Sequence, residues 1–216
     1  MTTSDFESPV LYANVAYDPS KWLPIPTYWG PETWVSAEDW AAEAARDWWV
    51  GLDASEQGIK RLEAILTDYA INYGGTDPES PFEVVGYLHL PHPAMFPLYL
   101  RVWVDQSPGL TAGDAVLAQD PTAVEPPLVE PFSTDHLGSG LRALLYYTFT
   151  PDAGTGSDGL TAMLRYGFSI PELDAVLTVV AVEPDLGRMM QAMDDIDEFV
   201  RQVHWGYKVE NLVGEA

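Results

Sequence analysis

Four histidines and no cysteine limit the chemistry this chain can attempt. His89 and His92 stand three apart in HLPHP, a spacing that invites a metal. In an extended strand those positions face opposite ways, so the turn at Pro91 must redirect one ring, and no third ligand is placed by spacing. TDHLGSG brings together Asp135, His136 and Ser139, the residue types of a hydrolase triad. Triads are assembled from separate elements, and Ser139 lies directly between Gly138 and Gly140, without the G-x-S-x-G spacing. This segment reads as a turn entering a strand. DDIDE (194–198) offers five residues rich in carboxylate, but it lacks the glycine and alternating ligands of a calcium loop. On a helix Asp194 and Glu198 are neighbours while Asp195 points elsewhere, so the stretch reads as a solvated helix face.

A G-x-G-x-x-G pattern at Gly154, Gly156 and Gly159 resembles a dinucleotide fingerprint only in its letters. Such a loop works by presenting pyrophosphate to the N-terminus of a following helix. Here it joins LRALLYYTF to LTAMLRYGF, two alternating segments, with Asp152 and Asp158 adding repulsion for phosphate. It is expected to be a hairpin connection. The missing cysteines exclude disulfides, thiolate zinc sites, iron–sulfur clusters and cysteine nucleophiles. No cofactor and no resident metal are expected.

The aromatic residues speak for binding. Trp22, Tyr28, Trp29 and Trp34 fall in WLPIPTYWGPETW, which Pro24, Pro26 and Pro31 keep extended or turned. Six of the eight tryptophans lie between Trp22 and Trp49, which concentrates them in one region. Rings held on a stiff segment serve as interface anchors, or they seal the edge of a sheet or a helix pair. The spacing leaves both open, and the four residues are the candidate partner-binding set.

The elements that must position these groups follow from periodicity. SAEDWAAEAARDWWVGL reads as a helix capped by Ser36, with Trp40, Ala44, Asp47 and Trp48 on one face. SEQGIKRLEAILTDYAINYGG is a second, capped by Ser55 and ended by Gly74 and Gly75. The period then changes to two in FEVVGYLHL and PLYLRVWVD, and again in LRALLYYTF, LTAMLRYGFSI and DAVLTVVAVE. A Pro-rich connection from Ser107 to Asp135, with a short helix in TAGDAVLAQ, joins the two groups of strands. The last helix, Asp185 to Trp205, carries the stripe Leu186, Met189, Met190, Met193, Ile196, Phe199, Val200 and Val203. Strands joined by short turns, with helices before and after, imply an α+β fold with a mainly antiparallel sheet. We expect a single domain over 1–216, divided into an N-terminal helical and aromatic extension (1–75) and a sheet with its C-terminal helix (76–216).

The net charge of −23 is spread along the chain, at −10, −5 and −8 over residues 1–80, 81–150 and 151–216. Such a surface repels nucleic acid and anionic lipid and attracts a basic protein. Solubility or adaptation to salt would also account for it. The opening residues carry Asp5 and Glu7 and no basic group before Lys21, unlike a secretory signal, and a cytoplasmic location is expected.

From about Phe82 to Trp205 the succession of elements resembles the PsbP-like family. LYLRVWVD is followed by TAGDAVLAQ, then STDHLGSGLRALLYYTF, LTAMLRYGF, AVLTVVAVE and the terminal DLGRMMQAMDDIDEFV. The resemblance implies an α/β/α sandwich and a non-enzymatic binding or accessory role, with no shared catalytic set. The resulting expectation is a non-catalytic acidic module, of accessory, chaperone or immunity type, that recognises a basic protein partner. The alternative is a metal- or histidine-dependent hydrolase using His89, His92 and His136.

Overall fold

Two serines start the helical hairpin. In the computed structural model, which describes residues 10–75, 84–117, 123–149 and 159–208, Ser36 Oγ accepts from the Asp39 N–H at 3.3 Å and opens α1 (Ala37–Trp48). Ser55 Oγ accepts from the Gly58 N–H at 3.0 Å and opens α2 (Glu56–Tyr73), which ends at Gly74. Trp40, Ala41, Ala44 and Ala45 of α1 pack with Leu62, Leu66 and Ala70 of α2. The small alanines let the two helices approach closely while the indole fills the remaining space.

Among the described residues nine strands make two sheets. β1 (Val10–Val15) pairs only with β9 (Val203–Lys208). The other seven are β2 (Trp22–Ile25), β3 (Val85–His89), β4 (Leu98–Asp105), β5 (Leu128–Thr134), β6 (Gly138–Phe149), β7 (Gly159–Ile170) and β8 (Ala175–Glu183). They lie in the order β2-β3-β4-β8-β7-β6-β5, and every neighbouring pair is antiparallel. The fold is α+β with a mostly antiparallel sheet and, among the described residues, four α-helices, the last two being α3 (Ala112–Leu117) and α4 (Leu186–Arg201).

Alternation along the strands decides which helix covers which face. Leu98, Leu100, Val102 and Val104 of β4 join Leu164, Tyr166 and Phe168 of β7 and Leu177, Val179 and Ala181 of β8 in the core beneath α4. On β3, Tyr87 belongs to that core, while its neighbour Leu88 points the other way and packs with Ile25 under α1 and α2. α3 sits over Ala143 and Leu145 through Val116. A Cβ on Gly167 would lie 2.6 Å from the Ala112 carbonyl, so only glycine lets α3 this close to β7.

Three expectations change. The last helix stops at Arg201, and Val203 to Lys208 become β9. Val203 fits the helical stripe and the strand equally well. The aromatic and Gly-containing VHWGYK disfavours helix, and β1 offers it a partner. Within the Pro-rich connection, Leu128–Thr134 is a strand despite Pro131, and Trp22–Ile25 is a strand despite Pro24. Both lie at sheet edges, where a missing N–H removes no ladder bond. Finally, α4 packs through Met189, Ala192, Ile196, Phe199 and Val200, whereas Met190 faces solvent and Met193 is half-buried.

Candidate functional site

The histidines do not form one site. His89, at the end of β3, is 6% exposed and points under α4. Its Nε2 is 2.9 Å from Asp195 Oδ2, and Lys21 Nζ donates to Asp195 Oδ1 at 2.6 Å. Burial pushes the His89 ring below its ordinary value against the opposing pull of Asp195, and a ring N–H at Nε2 is what an ionised Asp195 can accept. Burial also works against the Asp195 charge, but Lys21 and His89 outweigh it and hold the carboxyl below the usual range. His92 is exposed in the β3–β4 turn, where its Nδ1 accepts from the Ala94 N–H at 3.1 Å. His136 lies in the turn between β5 and β6, with its ring 5.9 Å from His204. Four strand spacings separate β3 from β6, or roughly 19 Å. Among the described residues no group of three or more His, Asp or Glu is placed to hold a metal.

A cavity of about 150 Å³ adjoins the His89–Asp195 pair, lined further by Met95, Phe96, Leu98 and Arg188. The pair can orient a proton acceptor there, but the lining has no hydroxyl to serve as a nucleophile. Arg188 is itself held by Glu183 at 2.7 Å and by the Phe96 and Pro97 carbonyls.

The reading of DDIDE as a solvated face needs correction. Asp194 and Glu198 are exposed, but Asp195 and Asp197 flank the buried Ile196 and each meets a cation. Asp197 Oδ2 accepts from Arg142 Nη1 at 2.6 Å, and its other oxygen accepts from Tyr166 OH at 2.5 Å. Glu130 Oε2 takes the second arm of Arg142. These partners come from β5, β6 and β7, and no local sequence pattern signals them. The G-x-G-x-x-G falls mostly outside the described residues, but the strands it joins pair antiparallel from Phe149 and Gly159 onward.

The four candidate aromatics separate. Trp22 is 3% exposed and packs between His89, 4.8 Å away, and Phe199, 4.4 Å away. It belongs to the core beneath α4. Trp29 is half-buried against the C-terminal end of α2 at Gly74 and Gly75. Tyr28 is 68% exposed.

Trp34 lines a groove of about 270 Å³ with Leu23, Pro24 and Pro26 from β2 and its continuation, and Trp40, Glu43, Ala44, Asp47 and Trp48 from α1. The α1 residues fall at i, i+3, i+4, i+7 and i+8, one continuous helix face. Trp40 is buried in it and Trp34 and Trp48 are half-buried. Trp34 Nε1 donates to Glu43 Oε2 at 3.0 Å, and Trp48 Nε1 donates to the Leu90 carbonyl at 2.8 Å. Glu43 and Asp47 are exposed, and neither meets a cation among the described residues. Sequence spacing shows the α1 face of this groove. It does not show the β2 wall, which depends on pairing with β3.

Comparison with protein-family models, curated proteins and solved structures finds no match to this chain. Function must therefore be argued from the sites themselves.

Proposed function

We propose that this chain is a non-catalytic binding module that recognises a basic protein partner, in an accessory, chaperone or immunity-type role. One observation carries the proposal: a tryptophan-walled groove bears two carboxylates that meet no cation among the described residues. An aromatic wall attracts a cation through its π face, and a carboxylate beside it strengthens that attraction. The chain-wide charge of −23 adds long-range steering toward a basic surface. In the same proposal the α+β scaffold takes a PsbP-like arrangement, and the helical hairpin carries the site.

The test is kinetic binding of an extended synthetic peptide bearing several Arg and Lys residues, beside a version with Glu in their place. We expect binding of the basic peptide only, with association slowed strongly by salt and dissociation changed little. Asp47→Lys should abolish binding and leave the melting temperature within a degree or two, because Asp47 is exposed and has no ion-pair partner among the described residues. Equal binding of the two peptides, or undiminished binding by Asp47→Lys, overturns the proposal.

A further inference from the structure

We infer that the groove between β2 and α1 selects arginine over lysine as the inserted side chain. The inference rests on the proposed binding function and adds the chemical identity of the occupant.

Three features of the groove point to a planar cation that carries only donors. The first is the polarity of its walls. The indole N–H groups of Trp34 and Trp48 already donate, to Glu43 and to the Leu90 carbonyl. What the walls turn toward an occupant is mainly aromatic and proline surface. The second is the placing of the acceptors. Glu43 and Asp47 are i, i+4 on α1, so their Cβ atoms lie about 5–6 Å apart along one edge of the groove. One Glu43 oxygen remains beyond the one that takes Trp34, and both Asp47 oxygens are open among the described residues. A guanidinium presents five N–H groups in a fixed fork and can satisfy carboxylates one turn apart while its flat face rests on an indole.

The third feature is the open edge of β2. The register pairs Leu23 with Leu88 and Ile25 with Gly86. The Leu90 N–H donates to the Lys21 carbonyl at 2.7 Å. That phase directs the backbone groups of Leu23 and Ile25 toward β3 and those of Trp22 and Pro24 toward the open edge. The Trp22 N–H is taken by the Asp18 carbonyl, and Pro24 has no N–H. This edge therefore offers acceptors without donors. It cannot template an added strand, but it can receive a side chain rich in N–H groups. Lysine would fit less well. Its ammonium is a compact, strongly hydrated point charge with no flat face to rest on an indole and no fork to span two carboxylates one turn apart, so the apolar walls would strip its hydration for a poorer return.

The experiment uses three peptides of identical sequence that differ at one central position: arginine, lysine or citrulline, the last being neutral and close to arginine in shape. Binding to the full chain is followed by calorimetry and by tryptophan fluorescence. We expect the arginine peptide to bind at least about tenfold tighter than the lysine peptide and the citrulline peptide to fail. Asymmetric methylation of the arginine keeps its charge, blocks part of the fork and should weaken binding several-fold. Asp47→Asn, at an exposed position, should erase the preference while the protein stays folded. Lysine and arginine binding equally, with both lost in Asp47→Lys, overturns the selectivity and leaves the binding function standing. Binding of neither peptide overturns both.

Discussion

β2 divides two assemblies built from the same parts, an acid pair on a helix beside tryptophan. On one side α4 supplies Asp195, which shares the His89 contact with Trp22, and Asp197 across the buried Ile196; on the other α1 supplies Glu43 and Asp47 next to Trp34 and Trp48. Asp195 and Asp197 each have a cation and a second donor, so that assembly is closed. Glu43 and Asp47 meet no cation among the described residues, and the rings beside them border a groove. The contrast teaches that residue type does not separate structural from functional acids. What separates them is whether the fold has already supplied the counter-charge.

The comparison can be broken from its closed side first. Trp22→Ala should cost about 3–5 kcal/mol, the range for removing a large core ring, whereas Trp34→Ala at the groove should cost far less and remove binding. Denaturant titrations of both variants check this, and equal losses would erase the distinction. Next, Asp197→Ala leaves Arg142 and Tyr166 OH without their common acceptor and should cost about 3 kcal/mol. Arg142 is only partly buried, so this figure is an upper one, read from the shift in the unfolding midpoint.

A smaller effect sharpens the same contrast by pH. The folded His89 ring binds its proton less readily than the unfolded chain does, against a reference of 6.5. Stability must therefore fall as pH drops below 6.5 and level off once the folded value is passed. Unfolding free energies measured at several pH values from 7.5 to 5 should show this decline in the native chain and a weaker one in His89→Gln. The groups facing the ring are Asp195, Lys21 and Arg188. The smallest effect is on the open side: Asp47→Asn with Glu43→Gln should leave stability within about 0.5 kcal/mol. A larger loss would mean that α1 also depends on its acids.

What could be read from the sequence follows the range of the interactions involved. Ser36 and Ser55 act within one helical turn, so both helix starts are visible, as are the long alternating strands. β2 and β5 escape because Pro24 and Pro131 forbid a central strand, and only the finished sheet shows that these positions are edges. Trp22 looks like a neighbour of Trp34 because both lie in one stiff segment. Alternation in a four-residue strand turns Trp22 under α4, while the chain beyond β2 carries Trp34 to the opposite groove. The acids of α4 could not be sorted from local sequence, because their partners lie in strands far away in the chain.

The ribbon of β1 and β9 has a consequence in time. Val10 pairs with Lys208, so β1 has no strand partner until almost 200 further residues have been made. At about 5–20 residues per second, that leaves β1 waiting roughly 10–40 s during synthesis. Ala13 and Val15 belong to the core beneath α4, which is not complete until that helix has been made. The growing chain thus carries an apolar segment that waits for its strand partner while almost 200 residues are made, and the last strand described is the one that closes it.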